Sequence, residues 1–407
     1  MKCGLLGEKL GHSYSPQIHA HLGSYSYELF ETAQEDLSHF LKSGDFHGLN
    51  VTIPYKKAVI PYLSELSPVA KRLGAVNTIV RRPNGQLIGH NTDYFGVQTM
   101  LIQSGLDLSG KKALVLGSGG ASNTAAAVLQ EMGASVVVIS RSGENNYGNL
   151  HLHRDAAVIV NATPVGMYPN VGTSPVDLGL FPQLEGVFDL IFNPARTQLL
   201  MDAEKRGVLA INGLLMLVAQ AKESAEWFTE TKIPDTIIQD IYRKLTLQME
   251  NIILVGMPGS GKTTIATILS QLLNRSMADA DQKIMESQGC SIPQIFQEQG
   301  EEAFRNIETE ELAQLGKQSN LIISTGGGCV TKDRNYPLLH QNGRIFWIKR
   351  NIDQLPTHGR PLSQSNSPAE LYRQRQPLYL TFADHIIENN TTPQEAAKKI
   401  IEQLESL

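Results

Sequence analysis

The sequence predicts an α/β protein of more than one domain, and three observations carry that prediction. The apolar run Asn251–Val255 leads into Gly256-Met257-Pro258-Gly259-Ser260-Gly261-Lys262-Thr263, and Thr264–Leu273 then carries apolar residues at helical spacing. A second run, Lys112–Leu116, leads into Gly117-Ser118-Gly119-Gly120-Ala121-Ser122, an alanine-rich helix and the strand Ser135–Ile139. Ahead of both, short strand-like and helical runs alternate over Cys3–Leu6, Gln17–Leu22, Tyr25–Phe30, Gln34–Leu41, Leu49–Ile53, Val69–Leu73 and Val76–Val80. Strand, glycine turn and helix in that order is the setting in which backbone N–H groups surround phosphate oxygens. The turn at Gly117 therefore predicts a Rossmann-like lobe, and the turn at Gly256 a phosphate loop that opens its own domain near residue 250.

In the phosphate loop, Gly259, Ser260 and Gly261 offer bare backbone, Lys262 has the reach for β- and γ-phosphate oxygens, and the Thr263 hydroxyl suits Mg²⁺. Thr264 follows at the start of the helix. ATP and Mg²⁺ are the expected ligands of this turn.

The totals fit several globular domains. At 407 residues, two or three are expected, with 41% hydrophobic and 18% charged residues. A net charge of −5 spread over both halves gives no footprint for nucleic acid. No run of apolar residues is long enough to span a membrane, and Met1–Leu6 resembles a first strand rather than a signal stretch. Cys3, Cys290 and Cys329 are scattered without metal-ligand spacing and read as reduced thiols, so the cytoplasm is the expected compartment. His19/His21 and His151/His153 stand two residues apart, which does not bring either pair to one helix face. Small molecules are the expected partners, and a homo-oligomer stays open.

Between the elements of residues 1–94 lie polar clusters. Ser13 and Ser15, within Gly11-His12-Ser13-Tyr14-Ser15-Pro16, precede a helix that they can cap, or at whose end they can grip a carboxylate. Asn50-Val51-Thr52-Ile53-Pro54-Tyr55-Lys56-Lys57 ends a strand at Pro54 and puts two lysines in the first turn of a helix, where they oppose its dipole. Asn77-Thr78 and His90-Asn91-Thr92-Asp93 add further polar groups at strand ends.

Taken together, these stretches resemble shikimate dehydrogenase. The matching segments are Gly11–Pro16, Gly48–Lys56, Gly74-Ala75-Val76-Asn77-Thr78 and Gly89–Asp93, and the likeness extends over nearly all of residues 1–245. The resemblance implies that Ser13 and Ser15 hold a substrate carboxylate and that Thr52, Asn77 and Asp93 contact ring hydroxyls. It also implies that Lys56 and Asp93 form the catalytic pair. An ammonium beside a carboxylate suits that role, because reducing a ketone needs a proton donor near the developing alkoxide.

The nucleotide turn departs from the strict fingerprint at Ser122, where Gly or Ala is usual. Gly117, Gly119, Gly120 and Ala121 are its expected contacts. The next strand ends in Ser140-Arg141-Ser142, and an arginine there suits a 2′-phosphate, so NADP(H) is expected rather than NAD. The related family usually shows Asn-Arg-Thr. Asn161–Met167 continues the match, with Met167 expected near the nicotinamide, and Phe192 stands where the family often has Tyr. Gln220 matches a substrate-contacting glutamine on a helix expected to return to the first lobe. The expected domains are residues 1–94 plus about 214–245, residues 95–213, and residues 250–407.

Past the phosphate loop, Asp279 and Asp281 end a second strand, where alternation would put both on one face, with Asp281 placed to cap the next helix. Arg305 and Glu308 stand at i,i+3, the spacing of an exposed helical ion pair. Gly326-Gly327-Gly328 follows another strand, Thr357–Leu362 with Ser363–Ser367 reads as a lid, and Arg373–Tyr379 adds guanidinium groups. This ordered set resembles shikimate kinase across residues 251–405. The resemblance implies that Asp281, Arg305, Gly327 and Arg375 bind shikimate and that Thr263 and Asp279 hold Mg²⁺. By the same likeness, Lys262 bridges phosphates, Arg360 closes over ATP, and Asp281 orients the attacking hydroxyl.

The whole chain thus reads as α/β, a two-lobed dehydrogenase with a Rossmann-like NADP-binding lobe followed by a P-loop, NMP-kinase-like parallel α/β domain. The expected activity is bifunctional: reduction of 3-dehydroshikimate to shikimate, then phosphorylation of shikimate to shikimate 3-phosphate. Two alternatives stand beside it. The first half can prefer quinate or NAD, or one half can be a silent structural partner.

Overall fold

The structure, a computed structural model, describes residues 1–11, 13–355 and 367–405. Its described residues group into two compact units. The first comprises Met1–Gly166, Thr173–Phe192 and Leu199–Lys244; the second comprises Met167–Gly172, Asn193–Gln198 and Leu245–Leu407.

The first unit holds two sheets. Strands β1 (Lys2–Gly7), β2 (Ser26–Glu31), β3 (Gly48–Val51), β4 (Glu65–Leu66), β5 (Thr78–Arg81) and β6 (Leu87–His90) form a mixed sheet in the order β2-β1-β3-β5-β6-β4. Strand β3 stops at Val51 rather than at Pro54 as the sequence suggested, because the chain turns there, with the Tyr55 N–H donating to the Thr52 carbonyl at 2.9 Å. Helix Leu214–Thr229 packs on this sheet, and its Phe228 sits so close to β3 that a Cβ on Gly48 would lie 2.2 Å from the ring. Only glycine permits that approach.

The second sheet is parallel: β7 (Lys112–Leu116), β8 (Ser135–Ile139), β9 (Val158–Asn161), β10 (Gly186–Asp189) and β11 (Leu209–Ile211), in the order β11-β10-β9-β7-β8. The Ala113–Leu116 stretch of β7 is buried on both faces, as expected where helices cover a parallel sheet.

The second unit is built on one parallel sheet of β12 (Asn251–Val255), β13 (Met277–Asp279), β14 (Ile322–Ser324), β15 (Gly343–Lys349) and β16 (His385–Glu388), ordered β13-β14-β12-β15-β16. Ile252, Ile253, Leu254 and Val255 of central β12 are inaccessible to solvent. The run Ile292–Gly316 is helical on both sides of a break at Gly300, whose φ of 83° lies in the left-handed region. No helix among the described residues is long and apolar enough to cross a membrane.

Candidate active sites

In the first unit, the polar clusters read from the sequence converge. Lys56 Nζ donates to Asp93 Oδ2 at 2.6 Å. Lys56 sits in the single turn Tyr55–Ala58, so first and last turn coincide and the dipole argument for its lysines lapses. Asp93 opens the helix Asp93–Gln103, where a carboxylate is favoured by the N-terminal partial charge. Behind the pair, the Asn77 amide is held from three sides. Its Oδ1 accepts from the Thr92 N–H at 2.7 Å, and its Nδ2 donates to Thr92 Oγ1 at 3.0 Å and to Gln220 Oε1 at 3.4 Å.

Neither Ser13 nor Ser15 caps the helix Ser15–His19. Its N-cap is Tyr14, Ser15 is already its first residue, and the Ser13 hydroxyl accepts from the Ser15 N–H at 3.2 Å. Ser15 is buried, while Ser13 and Thr52 are half-buried.

At the nucleotide turn, Gly117 has a φ of +111°, in the left-handed region, and Gly119 caps the helix Gly120–Glu131. A Cβ on Gly119 or Gly120 would meet nothing within 4 Å, so the space before these helix N–H groups is clear. Ala121 follows in the first turn. The buried Ser122 folds its hydroxyl back onto the Gly117 carbonyl at 2.6 Å, which accounts for the departure from Gly or Ala. After β8, Ser140 is half-buried, while Arg141 and Ser142 are exposed. No carboxylate among the described residues pairs with Arg141. This donor set fits a dinucleotide with a 2′-phosphate. Met167 is not grouped with these residues, since Met167–Gly172 belongs to the second unit.

In the second unit, one cavity of about 640 Å³ is lined by Gly259, Gly261, Lys262, Thr263, Thr264, Asp279, Asp281, Arg305, Gly327 and Arg375. Ser260 is buried behind them, and its Oγ has no hydrogen-bond partner among the described residues. Gly259 and Gly261 take φ of 85° and 96°, and the helix Lys262–Leu273 starts directly after them. Lys262 Nζ donates to the Gly256 and Met257 carbonyls at 2.9 and 3.0 Å. Thr263 Oγ1 donates to Asp279 Oδ2 at 2.8 Å, a hydroxyl and carboxylate pair of the hard oxygens that Mg²⁺ prefers.

Three expectations are corrected here. Asp279, not Asp281, caps the helix Ala280–Gln288, accepting from the N–H groups of Asp281 and Gln282. The strand ends at Asp279, so the argument that alternation puts both carboxylates on one face does not apply; Asp281 reaches the cavity from the first helical turn. The Arg305–Glu308 pair is buried rather than exposed, with Arg305 Nη1 2.7 Å from Glu308 Oε2 and both side chains under 5% accessible. Burial pushes the Glu308 carboxyl above its ordinary range, and Arg305 opposes that rise. Arg305 Nε, also buried, has no partner among the described residues, a donor left over for an anion.

Three glycines keep this floor open. A Cβ on Gly326 would lie 2.7 Å from Asp281 Oδ1 and 2.8 Å from Glu308 Oε1, and one on Gly328 would lie 2.2 Å from Arg305 Nη2. The Gly327 carbonyl accepts from Arg375 Nη1 at 3.1 Å and from the Tyr379 hydroxyl at 2.5 Å. Arg360, with residues 357–366 of the expected lid, lies outside the described residues, as does His12.

Asn389, Arg350 and Tyr379 stand in no motif that singles them out. Asn389 Nδ2 donates to the Ser260 carbonyl at 2.7 Å, and Arg350 Nη1 stands 3.4 Å from the Gly259 carbonyl. Both follow directly on strands β16 and β15, and the carboxyl ends of parallel strands are where ligand-facing residues collect. That positional rule was the available signal.

Comparison with known proteins bears on both units. A family model for the shikimate dehydrogenase substrate binding domain matches residues 5–79, and one for shikimate kinase matches residues 258–405. A shikimate dehydrogenase (NADP(+)) of Clostridium perfringens is 34% identical over 264 residues, which cover 60% of this chain and 97% of the relative. Among solved structures, shikimate dehydrogenase 1 from Peptoclostridium difficile shares 42% identity with a TM-score of 0.56, covering 60% of this chain and 98% of that one. The Thermus thermophilus shikimate 5-dehydrogenase in complex with NADP(H) and shikimate shares 33% identity with a TM-score of 0.55, covering 60% and 99%.

Proposed function

The chain belongs to the shikimate dehydrogenase family over its first 60% and carries a shikimate kinase domain at residues 258–405; from that premise we propose a bifunctional enzyme that makes shikimate and then phosphorylates it. The first site reduces 3-dehydroshikimate with NADPH. The second transfers a phosphoryl group from Mg-ATP to the shikimate 3-hydroxyl.

The Lys56–Asp93 pair at 2.6 Å carries the first half of this reading. Asp93 orients the Lys56 ammonium, which delivers a proton to the carbonyl oxygen as the carbon is reduced. The nicotinamide, when bound, supplies the hydride. Ser13 and Ser15 grip the substrate carboxylate, while Thr52, Asn77, Asp93 and Gln220 address the ring hydroxyls. Gly117, Gly119, Gly120 and Ala121 present backbone to the dinucleotide phosphates, and Ser140, Arg141 and Ser142 face its 2′-phosphate. The exposed Arg141, which has no carboxylate partner among the described residues, supports NADP over NAD.

The meeting of the phosphate loop, Asp281, Arg305 and Arg375 in one cavity carries the second half. Mg-ATP supplies the transferable group. Thr263 and Asp279 are the ligands we assign to Mg²⁺, and Lys262 turns from its two carbonyl partners to the phosphates. Arg305, whose buried Nε has no partner among the described residues, and Arg375 pair with the shikimate carboxylate. Asp281 accepts from the 3-hydroxyl and aims it. Phosphoryl transfer asks little more of a protein than such positioning and charge neutralisation.

A coupled assay tests both halves. The purified chain receives 3-dehydroshikimate, NADPH and Mg-ATP, and shikimate and shikimate 3-phosphate are both quantified. Turnover to the phosphate that needs all three additions is expected; failure of either product to form sinks the corresponding half.

A further inference from the structure

Ser224 lies one turn beyond Gln220 on the helix Leu214–Thr229 and is inaccessible to solvent. Its hydroxyl donates to the Gln220 carbonyl at 2.8 Å and accepts from Asn50 Nδ2 at 2.7 Å. The hydroxyls of Thr78 and Thr92 each stand 3.0 Å from it. A hydroxyl has one proton to give and two lone pairs to fill. With the proton on the Gln220 carbonyl and one lone pair on Asn50, a single lone pair remains for the two threonines, which also meet each other at 3.2 Å. The oxygen has no capacity left for a ligand.

What it joins is specific. Asn50 comes from β3, Thr78 from β5, and Thr92 precedes the helix that opens with Asp93. Thr92 in turn fixes the Asn77 amide through its N–H at 2.7 Å and its hydroxyl at 3.0 Å. One atom therefore ties the backbone turn carrying Gln220 to the strand and the loop that hold Asn77.

We propose that Ser224 is a positioning residue for the substrate ring: it sets the separation of the Asn77 and Gln220 amides, and so the affinity for ring hydroxyls, without touching substrate. This rests on the dehydrogenase reading above. A buried polar network with every bond made holds its members more rigidly than any single pair does. Without the Ser224 hydroxyl, Asn50 Nδ2 keeps only contacts of 3.3 and 3.4 Å to Thr78 Oγ1 and the Asn77 carbonyl. The helix retains its apolar seat, but the Gln220 turn loses its lateral tie.

The test is steady-state kinetics of the full chain in the direction of shikimate oxidation, on Ser224→Ala and on the near-isosteric Ser224→Cys. Phosphorylation of shikimate by the same chain serves as an internal standard. The expected result is a rise in the KM for shikimate of about tenfold, the size of one lost hydrogen bond, with kcat and the KM for NADP within about twofold. The effect of Ser224→Ala should vanish in a Gln220→Ala background, because two residues acting as one unit do not add. An unchanged KM, a parallel loss in kcat and both KM values, or additivity with Gln220→Ala overturns the proposal. So does the failure of both variants to fold by circular dichroism, which makes the serine merely structural. If the unaltered chain does not oxidise shikimate, the site reading falls and this proposal with it; if it does and the variants match it, only the role of Ser224 is refuted.

Discussion

Lys56 Nζ and Asp93 Oδ2 lie 2.6 Å apart, although they stand 37 positions apart in the chain. Between them run the turn Ile60–Tyr62, β4, the helix Pro68–Leu73, β5 and β6, so the pair exists only once the first sheet has formed. Replacing the ammonium removes the proton donor and leaves the fold's apolar contacts in place. Lys56→Ala is expected to lower kcat for NADPH oxidation by about 10²- to 10³-fold while the rate of shikimate phosphorylation stays unchanged. Stopped-time assays of both products from one preparation measure this.

Arg141 stands exposed at the end of β8 without a carboxylate partner among the described residues. A guanidinium there discriminates by pairing with the 2′-phosphate. Arg141→Ala should raise the KM for NADPH by roughly tenfold or more and leave that for NADH nearly unchanged. Equal losses with both nucleotides would show that the arginine is not the discriminating group.

The two nucleotide turns were legible in the sequence because the order strand, glycines, helix is local and needs no tertiary information. The Lys56–Asp93 and Arg305–Arg375 groupings were legible only through family likeness, since no local pattern reveals which distant strand ends will meet. Two errors came from local rules applied too far. Strand alternation stops with β13 at Asp279, so it says nothing of Asp281, which two residues later already lies in the helix that Asp279 caps. The i,i+3 spacing of Arg305 and Glu308 suggested a surface pair, but the glycine floor beneath them buries both. Asn389, Ser224 and Tyr379 escaped because an isolated polar residue on a helix or after a strand carries no periodic signal.

Gly328 faces the Arg305 guanidinium so closely that a Cβ would lie 2.2 Å from Nη2. That arginine is buried and paired with Glu308, so it cannot swing aside without leaving a buried carboxylate unpaired, which is costly. Gly328→Ala is therefore expected to cut kcat/KM for shikimate phosphorylation by roughly 100-fold, about 2.7 kcal/mol, and to spare the dehydrogenase reaction. A kinase within about threefold of the unaltered chain would mean the floor is softer than the geometry implies.

Glu226 offers a pH test of the first unit. Burial pushes its carboxyl up, but hydrogen bonds from Lys222, Lys232 and the Ile233 N–H outweigh burial and hold it down, from an ordinary 4.5 to about 2. Because the folded value is the lower one, its stabilisation is present above pH 4.5 and is lost as pH falls through about 2. Glu226→Gln should lower stability at pH 7 by about 2 kcal/mol, a figure discounted for the exposed side of Lys232. Urea midpoints of the two proteins should draw together as pH falls from 4.5 to about 2; a gap independent of pH contradicts the assignment.

The Ser122 hydroxyl folded onto the Gly117 carbonyl has a practical bearing on how such turns are searched for. A side chain that bends back inside its own loop takes up no room on the outer side, so the open approach in front of Gly119 and Gly120 survives the replacement. Search patterns admitting only the two smallest residues at that place therefore discard genuine members. A small hydroxyl residue belongs in the pattern wherever the loop carbonyl lies within its reach.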